Sequence, residues 1–123
     1  MSKANMQNLD IQCAELGRDL AEIRGIDEKV FNAALAVLEE QGPYAMFLYL
    51  NARHSGVAGD INKKSLEFLK RIFPEELDGL DGADGTLEGI KMLAKSLDNL
   101  LFARELLRIA FSYARYHLKA KGG

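Results

Sequence analysis

One cysteine, two histidines and two prolines are all that this 123-residue chain carries of the residues that most often staple, ligate or break a fold. The lone Cys13 excludes an internal disulfide, suits a reducing compartment and reads as a small buried helix residue. His54 and His117 stand 63 positions apart with no cysteine or carboxylate cluster at metal-ligand spacing beside them. No Ser/His/Asp or Cys/His arrangement can be argued from spacing, so nothing in the residues supports an enzyme, a metal centre or a cofactor. No stretch reaches the ~18 apolar residues of a membrane span, and the opening MSKANMQNLD has no apolar signal core. The expectation is a cytoplasmic protein without membrane contact. Strand candidates are also missing, apart from one short apolar run that has nothing to pair with.

What is present is helical periodicity over enough residues for a single domain, 1–123, with its own core. Leu9, Cys13, Leu16, Leu20 and Ile23 step by four and three, and Gly25 closes that first helix. Asp27 is placed to cap a second helix whose seam is Val30, Phe31, Ala34, Leu35 and Leu38, ending at Gly42. Gly42-Pro43 punctuates the chain, and Tyr44 to Leu50 follows as seven apolar or aromatic residues with no polar face. The spacing predicts a short central helix there, wrapped by the others. Ser55 to Asp60 reads as a loop, with Asp60 capping a fourth helix that packs through Leu66, Phe68, Leu69, Ile72 and Phe73 and stops at Pro74. An acidic, glycine-rich loop spans 75–85. Ile90, Leu93, Ala94 and Leu97 resume helical spacing, which leaves open a break at Asp98-Asn99 or a run into the last helix. The fold class is all-α, a compact bundle of five to six helices around the short apolar one.

The loop's Asp78, Asp81 and Asp84 invite a calcium reading, but they recur every third residue and Glu88 arrives too early for a helix–loop–helix calcium site. Three carboxylates with no preceding strand fit a phosphate cradle no better. The stretch reads as a solvated acidic linker. His117 falls on the apolar side of the last helix, near Tyr113 and Ala110, and reads as a partly buried structural residue.

Charge is the more informative pattern. The net charge is -2, yet residues 91–123 hold seven Lys/Arg against two Asp/Glu. On the last helix, Asp98 to Lys121, the cations Arg104, Arg108, Arg115 and Lys119 fall within about 60° of one another at ~100° per residue. Leu100, Leu106, Leu107, Ala110, Phe111, Ala114 and Leu118 take the opposite side. Only Glu105 lies near the stripe, so the expectation is a ladder of outward, largely unpaired cations. Unpaired arginines suit phosphate recognition, and phosphate contacts position without reading sequence. The same stripe would equally meet an acidic patch on another protein.

The order of these features resembles a known family. A second helix ending in glycine leads to a turn with a small residue and then Phe-Leu (Gly42, Ala45, Phe47, Leu48). A variable loop and a basic helix follow. The closing helix has the form Arg-Glu-Leu-Leu-x4-Ser-Tyr-x-Arg and then Lys-Ala, from Arg104 to Ala120. This is similar to the small all-helical subunit of type III CRISPR–Cas effector complexes, the type III-B form in particular. The resemblance implies an antiviral-defence role without catalysis. Several copies would stack head to tail along the guide–target RNA duplex, beside the other effector subunits. By position it implies phosphate contacts from Arg104, Arg108, Arg115 and Lys119, with Lys63, Lys64, Lys70 and Arg71 as a second group. The alternative is a helical protein–protein interaction module whose basic face docks an acidic partner.

Overall fold

The computed structural model describes residues 8–122 as six helices: α1 (Leu9–Ala21), α2 (Glu28–Gln41), α3 (Pro43–Arg53), α4 (Ser55–Ile72), α5 (Gly85–Leu93) and α6 (Leu97–Gly122). There is no strand among the described residues. The helices form an all-α bundle, and local chemistry sets most of their ends. The Asp27 carboxylate accepts from the Val30 amide at 3.2 Å, satisfying one orphan donor of α2. Gly42 takes φ +95°, a conformation that L side chains rarely adopt, and Pro43 opens α3 directly behind it. Pro74 follows the α4 C-cap, Phe73.

α6 is the long member, packed against α1, α2 and α5, most extensively against α1. It runs parallel to α1: the Cys13 thiol donates to the Leu106 carbonyl at 3.6 Å, Gly17 backs onto Ala110 and Ala114, and Lys121 reaches Ala21. Against α2 it runs antiparallel, with Arg104 beside Glu39 and Lys119 beside Glu28. Where these helices meet, Phe111 takes the edges of Phe31 and Phe47, with ring centroids 5.4 and 6.4 Å apart. α3 packs on α2, α4 and α5 through fully buried Met46, Phe47 and Leu50, while Leu48 on its far side is 50% exposed.

The seams expected for α1 and α2 are all buried. Three expectations change. Ser55–Asp60 is not a loop but the first turns of α4, because Val57, Ala58 and Ile61 bury there and the His54 carbonyl accepts from the Val57 and Ala58 amides. Asp60 therefore caps nothing. The break before α6 falls at Ala94–Ser96, ahead of Asp98-Asn99, and the Ser96 hydroxyl accepts from the Asn99 amide at 3.3 Å. The 75–85 segment keeps Asp78, Asp81 and Asp84 in solvent but is anchored, since Leu77 is fully buried and Lys70 donates to the Leu80 carbonyl at 2.6 Å.

Candidate nucleic-acid interface

α6 carries the charge stripe, and its rungs are set down against α2. Arg104 donates to the Glu39 carbonyl at 2.6 Å. That carbonyl lies in the last turn of α2, where backbone acceptors lack intrahelical partners and the helix end carries partial negative charge. Arg104 therefore acts as a C-terminal cap for α2. Lys121 repeats the device on the other neighbour, donating to the Ala21 carbonyl at the end of α1 at 3.4 Å. Arg108 is held by both carboxylate oxygens of Glu105, and that hydrogen bonding pushes its pKa further up.

The other two rungs are looser. Among the described residues Arg115 meets only the neutral amide oxygen of Asn32, at 3.5 Å, and the ring of Tyr116, whose centroid lies 5.8 Å from its guanidinium carbon. Lys119 lies 3.8 Å from a Glu28 carboxylate oxygen with its side chain 73% exposed, a geometry that neutralises little in water. The expected ladder of outward, largely unpaired cations is thus narrowed. Arg104 and Arg108 are engaged within the chain, the first by a backbone carbonyl and the second by a carboxylate, while Arg115 and Lys119 at the C-terminal end are only loosely held. The acceptors of Arg104, Arg115 and Lys119 come from α2, far away in sequence, which is why spacing along α6 alone did not show them; Glu105, which holds Arg108, lies on α6 itself.

The second basic group lies elsewhere. α4 packs chiefly on α1, α3 and α5, and among the described residues the polar contacts of Lys70 and the ring contact of Arg71 are made within α4 and the segment after it, not with the α6 stripe. Lys63 and Arg71 are exposed and Lys64 half-buried. Lys70 is used within the fold, bonded to the Leu80 carbonyl and 3.0 Å from Asp81, and Arg71 lies over the Phe68 ring at 5.9 Å.

The first turns of the α6 stripe are apolar, a feature that a count of cations misses. Leu97 and Leu101 share the angular sector of Arg104 and Arg108 and are 68% and 49% exposed. Leu101 borders a groove of about 690 Å³ that Pro43, Tyr44, Ile90, Ala94 and Leu100 also line. From Leu97 to Lys119 the outward face of α6 runs about 33 Å at 1.5 Å per residue, greasy at one end and basic at the other.

His54 caps the end of α3, its Nε2 is 3.4 Å from the Tyr49 hydroxyl, and His117 is half-buried on α6. Among the described residues no three His, Cys, Asp or Glu side chains converge to hold a metal ion. No described helix is long and apolar enough to cross a membrane. Compared with protein-family models, with curated proteins and with solved structures, the chain matches none.

Proposed function

We propose that this chain is a non-catalytic subunit of an RNA-guided assembly of the type III CRISPR kind, contacting RNA phosphates through the C-terminal edge of α6. Its partners in that reading are the other effector subunits and further copies of itself. The order of helices and the closing Arg104–Ala120 pattern support the family side of the reading. The observation that carries the RNA side is the pairing of Arg115: a neutral amide and an aromatic ring orient its guanidinium without cancelling its charge, and exposed Lys119 sits one turn on. Oriented, uncompensated cations are what a phosphate oxygen meets most favourably.

Exposed Leu97, and exposed Leu101 on the groove, favour a second reading, a helical interaction module that docks an acidic protein partner along the same stripe. Filter binding of a labelled RNA against a salt series separates the two. Two to three phosphate contacts predict a log–log salt slope of about -2, or roughly a tenfold loss between 50 and 200 mM salt. Reversing charge at Arg115 and Lys119 together should abolish it. An RNA that does not bind even at the lowest salt removes the first reading and leaves the protein partner.

A further inference from the structure

Tyr116 is the only aromatic ring among the large apolar side chains that the described residues leave exposed, at 62%. The three other tyrosines and all six phenylalanines are buried or half-buried. Its one neighbour of note is the Arg115 guanidinium, 5.8 Å from the ring centroid. Lys119 follows one turn later, exposed, on the adjoining strip of α6. Core packing does not account for an exposed ring at this place.

A ring beside two undercompensated cations matches the two chemistries of an unpaired nucleotide, a flat base and a phosphate. A duplex presents its phosphates but keeps its bases stacked inside, so it would use the cations and leave the ring idle. A single strand engages both, because every base has a face to lay on an aromatic side chain. We infer that Tyr116 is a stacking platform for an unpaired base, with Arg115 and Lys119 taking the flanking phosphates, which makes single-stranded RNA the ligand of this edge. The inference rests on the phosphate-contact reading and adds to it the strandedness of the ligand.

The chain has no tryptophan, so Tyr116→Trp creates a single reporter at the site in the full-length protein. Titration with a uridine-rich RNA 12-mer should quench its fluorescence, while a blunt duplex of equal length should bind without quenching. Tyr116→Ala should weaken the single strand by roughly 5- to 50-fold and leave the duplex unchanged, and Tyr116→Phe should bind as wild type. Circular dichroism checks that each variant is folded. Single-strand binding that is sensitive to Arg115→Glu, yet neither quenches the reporter nor responds to Tyr116→Ala, overturns the stacking inference and keeps the phosphate contact. Equal effects on single strand and duplex overturn it too. Absence of binding by either RNA removes both.

Discussion

A methyl group on Gly17 would stand 2.5 Å from the Cβ of Tyr113. The neighbouring contacts, 2.7 Å to the Ala110 carbonyl oxygen and 2.8 Å to the Ala114 amide nitrogen, involve backbone that a rotamer change cannot move. Hydrogen at this position is what lets α1 and α6 approach so closely. Gly17→Ala gains about 1 kcal/mol of helix propensity and still comes out destabilising by roughly 1–3 kcal/mol, because the helices must part. Chemical denaturation would show it as a lower midpoint, and an unchanged or raised midpoint would mean that the two helices are not in this contact.

Gly59 is the opposite case. It lies on the exposed side of α4 with nothing within 4 Å of its Cβ position. Gly59→Ala should stabilise by about 0.5–1 kcal/mol through helix propensity and a less flexible unfolded chain. The same substitution would do nothing, or do harm, if Ser55–Asp60 were a loop, so the midpoint shift tests where α4 begins.

The beginning of α4 also shows where sequence reasoning stops. Asp27, Gly42-Pro43 and Pro74 were legible because capping, a positive φ and a missing amide act within a few residues. The span of α6 was legible for a similar reason, since its apolar side repeats over many turns. Ser55, Gly56 and Gly59 look like punctuation, yet Val57, Ala58 and Ile61 find core partners, and burial outweighs two weak helix formers. The stripe on α6 was equally visible, but not what holds it: Glu39 and Asn32 lie 65 and 83 residues from the arginines they meet. Periodicity places a side chain on a face; it does not say which carbonyl waits there.

Cys13 makes stability depend on alkaline pH. Burial, with smaller contributions from the Asp10 and Glu105 carboxylates, raises its thiol from 9.0 to about 11. The folded state resists ionisation, so the contribution is whole below pH 9.0 and is lost as pH rises through about 11. The two-unit shift sets its size at no more than about 3 kcal/mol. The Asp10 carboxylate also holds the Tyr113 phenol above its ordinary value, which makes a comparison of variants necessary. The stability gap between wild type and Cys13→Ala should narrow across this window, as measured by urea denaturation at a series of pH values. A constant gap would refute the burial of the thiol.

Glu105 is an internal competitor for any phosphate near Arg108. Glu105→Gln removes the neutralising carboxylate and returns one cation to the stripe. In the RNA salt series the slope should steepen by just under one, and affinity at low salt should rise several-fold. Unchanged slope and affinity would place the RNA track away from Arg108, confined to Arg115 and Lys119.

The side-by-side union of α1 and α6 joins the two extremes of the described chain, with Tyr113 donating to Asp10 across 103 positions. During synthesis the greasy seam of α1 emerges well before α6, its natural cover. While the helices between them are made, at ~5–20 residues per second, the nascent chain must leave Leu9, Leu16 and Leu20 without their final neighbour. Any release short of α6 would strand that seam in the open, a substrate for chaperones and proteases rather than a smaller working protein.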